Sequence, residues 1–438
     1  MSTRPLLQSR ATSDSQAHAA GTTSYAAIPG SPDDQEGAAG SLALHRKGTS
    51  TETFFHIVCI TAGTGILQLP YALKEGGWIG VFYIMLAGVI SAYTGNMLVR
   101  CLYCKQGTRL KSYSDVAEAA LGLRGRKMVR ALKDFNLMGV VGIYIVLAGV
   151  NIDALLAGST AGSLGVRFWI SISALFVWVV LIFAREIHDI FVLSVFGTLT
   201  TLTTVVIILW AGAADIDGQK NRPPTKPFDF GMLPISLASI CFSFGGNTNW
   251  PDLEASMESP KKWGRTLSVA TAFIAVIYLC VAAVGYGVYG DYVKSPIILS
   301  LPAGVPVIVA NVMITAHVLL ACPILLTAVL TEAERDLRID PANCTPLQEK
   351  LRRALFRTCL ISVITFFALF VKDFAKFVPI LGAIAASMVV FVLPVVCYIR
   401  LYWEQRTLSK WEYAWCAFIV CVGLMCLVVG TAEAVAGL

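Results

Sequence analysis

The sequence predicts an all-α polytopic membrane protein with about eleven transmembrane helices, on the grounds of composition and apolar patterning. Of the 438 residues, 56% are hydrophobic and 14% are charged, whereas soluble domains carry about 25% charged residues. Apolar runs long enough to cross a hydrocarbon layer of about 30 Å recur along most of the chain. The predicted spans, numbered 1 to 11, cover residues 53–74, 78–100, 134–157, 167–184, 189–213, 231–256, 266–289, 304–331, 354–371, 374–399 and 411–434.

The first 50 residues differ from everything that follows. They are rich in Ser, Thr, Ala, Gly and Pro and show no apolar periodicity, so they cannot bury enough surface to fold. We expect residues 1–50 to form a disordered cytoplasmic tail and residues 51–438 to form one transmembrane domain. The tail lacks the apolar core and cleavage site of a signal peptide, so span 1 is expected to stay as an anchor.

The placement of Lys and Arg predicts the orientation of the chain. With the N-terminus in the cytoplasm, 26 of the 34 Lys and Arg residues fall in the tail or in cytoplasmic segments, as the positive-inside rule requires. The net charge of +6 is therefore a signal of orientation, and we expect no nucleic-acid partner. We expect the lipid bilayer to surround most of the chain.

Two spans contain glycine-rich interruptions near their middles. Span 1 reads ITAGTGILQLPYALKEGGW, with Gly63, Gly65 and Pro70 in its middle, and span 6 reads ICFSFGGNTNWPDLEASM around Gly245 and Gly246. These positions correspond if spans 1–5 and 6–10 are inverted repeats, and paired interruptions are typical of transporters that bind their substrate at mid-membrane. The alternative is that the glycines only allow close helix packing.

The chemistry of the two interruptions suits a zwitterion. Amides around Thr64, Gly65 and Ile66 would begin a second half-helix, whose partial positive charge favours a carboxylate. The second interruption offers carbonyls, with Ser243 and Asn247, to a cationic amino group. An amino acid therefore fits this pattern better than a sugar or a large lipid.

Four stretches carry a resemblance to a known family. They are GTGILQLPYALKEGGWIGVFY (63–83), AYTGNMLVRCLY (92–103), FSFGGNTNWPDLEASMESPKKW (242–263) and GAIAASMVVFVLPVVCYIRL (382–401). In these stretches the chain resembles the amino acid/auxin permease family, the transmembrane amino acid transporters, and is most similar to its vacuolar amino acid and vesicular GABA transporter branch. One departure is Asn247, where plant vacuolar members tend to have histidine.

The resemblance implies the inverted-repeat, eleven-span fold of the bacterial leucine transporter type, with helices 1 and 6 broken. It also implies proton-coupled transport of amino acids, with protons as the second solute. A vacuolar, lysosome-like or vesicular membrane is favoured over the plasma membrane. From the breaks and the resemblance together, the predicted substrate-binding residues are Gly63, Thr64, Gly65, Ile66, Asn136, Tyr144, Phe242, Ser243, Phe244, Gly245 and Asn247.

Ionisable groups inside spans are costly and therefore point to function. Glu254, in span 6, is a candidate for proton coupling or gating, and its alternative is a structural ion pair with a Lys or Arg at the cytoplasmic end. His317, near the centre of span 8, is a second candidate, because the ordinary pKa of a histidine side chain lies near neutral pH and suits a proton site. Thr315 is grouped with it, because span 8 carries ion ligands in sodium-coupled relatives of the implied fold. For the histidine the alternative is ordinary packing.

The function class predicted is a secondary active transporter of neutral amino acids and not an enzyme. The chain has no GxxxxGK[ST] phosphate-binding loop, and we expect no catalytic residues, cofactor or metal site. A receptor that senses an amino acid with little flux remains an alternative. A channel is disfavoured, because no filter or ring of pore charges is visible.

Overall fold

The computed structural model describes residues 48–104, 108–183, 190–216, 223–339, 345–371, 373–403 and 409–437. Residues 1–47 of the predicted tail lie outside these ranges. The α-helices are Ser50–Thr61, Gly65–Gly76, Gly80–Leu102, Tyr113–Leu155, Val166–Phe183, Ile190–Asp215, Leu233–Ser243, Trp250–Ser256, Trp263–Tyr289, Val305–Asp336, Pro346–Phe370, Phe374–Leu381, Leu393–Tyr402, Lys410–Met425 and Thr431–Ala436. Two π-helical stretches, Gly382–Val392 and Cys426–Gly430, continue spans 10 and 11.

Many of these helices are long and apolar enough to cross a membrane. Within the described residues eight helices meet that criterion, and the bent pair of span 1 makes a ninth. Of the other predicted spans, span 4 corresponds to the apolar helix Val166–Phe183 and span 6 to two short helices, Leu233–Ser243 and Trp250–Ser256. The predicted helical, polytopic fold class is confirmed, and the count of eleven stays a prediction.

Helix starts follow local capping chemistry. Thr49 caps the first helix, because its hydroxyl accepts a hydrogen bond from the amide of Glu52 while the Glu52 carboxylate accepts one from the amide of Thr49. Ser112 and Asp115 make the same reciprocal pair at the start of span 3. Each pair satisfies two of the amides that a helix N-terminus leaves without partners.

Span 3 differs most from its predicted bounds. Its helix begins at Tyr113 rather than near residue 134 and runs to Leu155, with Gly122 at φ 71° marking a kink between two parts. The prediction missed the first part because its charged residues interrupt the apolar run on which span prediction depends. A segment expected to be a loop is therefore helical.

Both broken spans are present and packed together. Span 1 stops at Thr61 and restarts at Gly65, with a bend of 49° between the halves. Span 6 stops at Ser243 and resumes at Trp250 after a short 3₁₀ turn. Pro70, which the sequence grouped with the first break, instead lies inside the second helix.

The π-helical stretch of span 10 packs against the first half of span 6. At Gly382 an added Cβ would lie 2.0 Å from the carbonyl oxygen of Ala238, so only glycine permits this approach of two backbones. π-helical turns occur often beside functional sites. Here the stretch supports the half-helix that ends at the second break.

The flanks of the described spans expose many large apolar side chains. Large side chains such as Phe366 and Trp210 are 66% and 60% exposed, on spans 9 and 5. Soluble proteins rarely expose extended apolar surface, whereas a helix that faces lipid has no need to hide it. The spans that carry the two breaks lie mostly in the buried interior.

Candidate functional site

A cavity of about 40 Å³ lies where the break of span 1 meets span 3 and the first half of span 6. A water molecule needs about 10–15 Å³ of such volume, so the cavity has room for a few waters or a small polar group. Its lining residues are Ile60, Thr61, Gly63, Thr64, Gly65, Asn136, Val140, Tyr144, Phe242 and Gly245. All of them are uncharged.

Seven of the predicted substrate-binding residues line this cavity: Gly63, Thr64, Gly65, Asn136, Tyr144, Phe242 and Gly245. Ile60, Thr61 and Val140 line it as well and were missed by the sequence reasoning. Thr61 and Ile60 immediately precede the first break, so adjacency to the break was a usable signal. Val140 lies one helical turn from both Asn136 and Tyr144, and this spacing brings all three to one face of span 3.

The first break presents a helix N-terminus to the cavity. The second half of span 1 begins at Gly65, and its first intrahelical bond runs from the amide of Leu67 to the carbonyl of Thr64. The first amides of any helix lack intrahelical acceptors and carry partial positive charge. This end therefore offers partial positive charge to the cavity, and binding of a carboxylate at Thr64, Gly65 and Ile66 stays a prediction.

The backbone of the first break lies close to two hydroxyl-bearing residues. A Cβ added at Gly63 would lie 2.8 Å from the Tyr144 hydroxyl oxygen, and one added at Gly65 would lie 2.7 Å from Cα of Ser243. Tyr144 therefore reaches the unwound backbone from span 3. Gly65 lets the two broken spans touch.

Thr61 contributes a hydroxyl group that forms no hydrogen bond within the described part of the chain. Its Oγ1 is buried and has no hydrogen-bond partner among the described residues. A buried hydroxyl without a partner is costly, and this one lines the cavity. It is therefore available to a bound molecule.

The second break differs from the expectation of free carbonyls. The Ser243 carbonyl accepts a hydrogen bond from the Tyr278 hydroxyl, and the Phe244 carbonyl accepts one from the Ser91 hydroxyl at 3.3 Å. Gly246 accepts a bond from the amide of Asn249. This stretch of backbone is thus largely satisfied by protein.

Four predicted binding residues do not line the cavity: Ile66, Ser243, Phe244 and Asn247. Asn247 is fully buried, and its side-chain amide donates to Thr94 Oγ1 and to the carbonyl of Val390, both at 3.3 Å. Its Oδ1 accepts from Trp250 Nε1 at 2.8 Å. The amide therefore stabilises the turn of span 6 and joins it to spans 2 and 10.

Glu254 forms a buried ion pair in the second half of span 6. Its Oε2 accepts from Arg109 Nε at 2.8 Å and from Arg109 Nη2 at 2.5 Å, and its Oε1 accepts from the Tyr103 hydroxyl. Arg109 also donates to the carbonyl of Pro251. Of the two interpretations left open by the sequence, this geometry favours the structural ion pair.

His317 and Thr315 lie on span 8 outside the cavity lining. His317 is 3% exposed, and its Nε2 has no hydrogen-bond partner in the described parts of the chain. Its ring packs on span 5, where a Cβ at Gly197 would lie 2.7 Å from Nδ1. Thr315 Oγ1 instead accepts a bond from Asn151 at 3.1 Å, which joins spans 8 and 3.

A second polar cluster, which was not predicted, lies in the second half of span 1 beyond the residues that line the cavity. Gln68 is fully buried one turn beyond Gly65, and its Nε2 donates to the carbonyl of Ala375 at 3.3 Å. Its Oε1 accepts from the hydroxyl of Ser295. These bonds join the second half of span 1 to span 10 and to the segment between spans 7 and 8.

Comparison with known proteins gives the chain a family and a fold. A family model described as transmembrane amino acid transporter protein matches residues 46–436. Amino acid transporter AVT1E of Arabidopsis thaliana is 26% identical, over 90% of this chain and 74% of its own length. The vesicular inhibitory amino acid transporter of Xenopus tropicalis is 26% identical, over 94% of this chain and 81% of its own length.

Solved structures match at the level of fold. Inward-facing Mhp1 superposes with a TM-score of 0.58 at 12% identity, covering 90% of each chain. MhsT in complex with L-phenylalanine gives 0.53 at 12% identity, covering 88% of this chain and 99% of its own. The chain therefore has the predicted fold of the bacterial leucine transporter type.

Proposed function

The chain belongs to the transmembrane amino acid transporter family, and from that membership we propose that it is a secondary active transporter of neutral amino acids. The observation that carries this proposal is the cavity at the first break, where a helix N-terminus faces an uncharged lining. The amides of Thr64 and Gly65, two residues that line the cavity, bind the substrate carboxylate. Thr61 Oγ1 and the side-chain oxygen of Asn136 accept hydrogen bonds from its amino group.

The lining restricts the side chain of the substrate. None of the described lining residues is charged, so a third charge on the substrate would be buried without a partner, at high cost. Phe242 and Val140 supply apolar contact, and the cavity of about 40 Å³ favours a small side chain. Small neutral amino acids are therefore the proposed substrates.

We further propose that protons energise transport, by antiport or symport. His317 supports this proposal, because it is an ionisable side chain in the middle of span 8 whose Nε2 forms no hydrogen bond within the described chain. Ionisable groups at such depth commonly mark proton pathways. Alternating access would then follow from movement of the spans that carry the breaks against the remaining spans.

An acidic internal membrane, vacuolar or vesicular, is the proposed location, with the N-terminus in the cytoplasm. The sequence resemblance to the vacuolar and vesicular branch supports this location, as does the name of the Xenopus relative. The orientation rests on the distribution of Lys and Arg.

The test is uptake of a panel of radiolabelled amino acids into proteoliposomes that hold the purified protein, with and without an imposed pH gradient. We expect uptake of a subset of small neutral amino acids that responds to the gradient. Glutamate and lysine serve as charged controls and should not be taken up. Binding of an amino acid without uptake under any gradient would reject transport in favour of the receptor.

A further inference from the structure

One tyrosine of span 7 connects the two broken helices. Tyr278 is fully buried, and its hydroxyl oxygen lies 2.6 Å from the carbonyl oxygen of Thr61 and 2.7 Å from that of Ser243. Thr61 is the last residue of the first half of span 1, and Ser243 is the last residue of the first half of span 6. The single hydroxyl proton is therefore shared between two helix C-termini.

The electrostatics of this junction are those of a cation site. A helix C-terminus carries roughly half a negative charge, and its last carbonyls have no intrahelical donors. Two such ends converge here on one point. In transporters built from broken helices, C-terminal ends and unwound carbonyls of this kind coordinate the coupled Na⁺ or proton.

The hydroxyl is held firmly at this point. The Tyr278 ring packs edge-on against Phe244, with ring centroids 5.1 Å apart. Ser243 adds a second connection between the breaks, because its own hydroxyl lies 3.1 Å from the carbonyl oxygen of Gly65. A cation cannot reach the two carbonyls while the phenol ring fills the space beside them.

We propose that the Tyr278 hydroxyl takes the place of a coupled cation at this junction, so that the protein binds no Na⁺ between the carbonyls of Thr61 and Ser243. The proposal deepens the proposed function and rests on it, since it identifies the residue that makes this site of the carrier independent of Na⁺. Tyr278 is a positioning residue, because it acts on the backbone of the breaks and not on the substrate.

The first test measures ion binding without requiring transport. The melting temperature of the purified full-length protein is compared in NaCl and in KCl, for the wild type and for Tyr278→Ser. The serine variant frees both carbonyls and opens the space of the ring, so we expect Na⁺ but not K⁺ to raise its melting temperature by roughly 2 °C. The wild type should melt equally in both salts.

Tyr286→Ser is the matched control for that test. Tyr286 is a fully buried tyrosine two turns further along span 7, and its hydroxyl oxygen accepts a hydrogen bond from the amide of Lys226. It faces no pair of helix C-termini, so its variant should show no difference between the salts. The proposal is overturned if Na⁺ changes the melting temperatures of the wild type and of Tyr278→Ser by the same amount, or changes neither of them.

The second test uses Tyr278→Phe, which keeps the ring and removes only the proton donor. Two carbonyls then face each other with no room for Na⁺, so we expect amino acid uptake to fall at least about tenfold at every Na⁺ concentration. Tyr286→Phe should keep most of its uptake. Normal uptake by Tyr278→Phe overturns the proposal, and this variant decides the matter if Tyr278→Ser does not fold. If the wild type takes up no amino acid, the proposed function fails while the melting comparison still tests the junction.

Discussion

At the scale of single residues, the first break depends on groups that are small or unpaired. Gly65 has no side chain because Ser243 occupies the adjacent space, and Thr61 keeps a buried hydroxyl without a partner in the described chain. Gly65 allows the contact between spans 1 and 6. The unpaired hydroxyl of Thr61 lowers the stability of the fold unless a bound ligand forms a hydrogen bond with it. Substitutions at the two positions should therefore have different effects.

Gly65→Ala should reduce uptake at least about tenfold. The new Cβ would lie 2.7 Å from Cα of Ser243, so spans 1 and 6 must separate, and overpacking of this kind costs about 1–3 kcal/mol. Gly88→Ala is the control, because its Cβ would meet Phe244 at an ordinary 3.4 Å. Uptake per inserted protein measures the effect, and wild-type uptake by Gly65→Ala would remove the close contact from the mechanism.

Thr61→Val should raise the Michaelis constant roughly tenfold and leave thermal stability unchanged or slightly higher. Valine matches the shape of threonine, and a hydrogen bond to a charged group contributes about 1.5–3 kcal/mol, where 1.4 kcal/mol is a factor of ten. Thr365→Val is the control, because that hydroxyl only donates to the carbonyl of Ile361 within span 9. An unchanged Michaelis constant would mean that Thr61 does not contact substrate.

At the scale of elements, the segment that precedes span 3 fixes the position of the second half of span 6. Arg109 pairs with Glu254 and with the carbonyl of Pro251, and the Glu254 side chain is 1% exposed. Removing one partner of such a pair leaves a buried charge alone. The short helix Trp250–Ser256 has few turns of its own, so this contact fixes its position.

Glu254→Gln and Arg109→Gln should each lower the free energy of unfolding by about 3–5 kcal/mol, and the double variant should lose clearly less than the sum. The comparison is a double-mutant cycle followed by thermal or denaturant unfolding. Arg126→Gln is the control, since its pair with Glu118 is about half exposed and should contribute at most about 1 kcal/mol. Additive losses would show that the two side chains act independently.

At the scale of the whole molecule, charged side chains and exposed apolar side chains occupy different regions. Ion pairs join spans 3, 8 and 9 at the end assigned to the cytoplasm, for example Lys133 to Glu332 at 2.6 Å and Arg353 to Glu334 at 3.2 Å. The flanks of the molecule expose large apolar side chains instead. This division is expected when lipid surrounds the flanks and water covers only the ends.

An odd number of spans should place the two termini on opposite sides of the membrane. With eleven spans and the positive-inside rule, a tag before Met1 should be accessible from the cytoplasm in sealed cells or vesicles. A tag after Leu438 should become accessible only after permeabilisation. Protease protection of both tags measures this, and termini on one side would contradict the predicted count.

The sequence predicted the positions of the two breaks better than the contacts that the residues around them make. Gly63, Gly65 and Gly245 belong to the predicted site and line the cavity of the structure, because closely spaced glycines weaken a helix at the point where they occur. Pro70 was assigned to a break but is helical, and the Asn247 amide is engaged by protein. Residue type alone does not tell which polar side chain already has a partner.

Hydropathy, charge placement and glycine content act locally along the chain, so the sequence by itself determined the helical membrane fold, the predicted orientation and the positions of both breaks. Only the tertiary structure decided which groups meet there. Tyr278 bridges Thr61 and Ser243, and Arg109 pairs with Glu254, across spacings that leave no local pattern. In a bilayer, helices form first from their own hydrogen bonds, whereas their contacts depend on shape and on buried polar groups that no single segment contains.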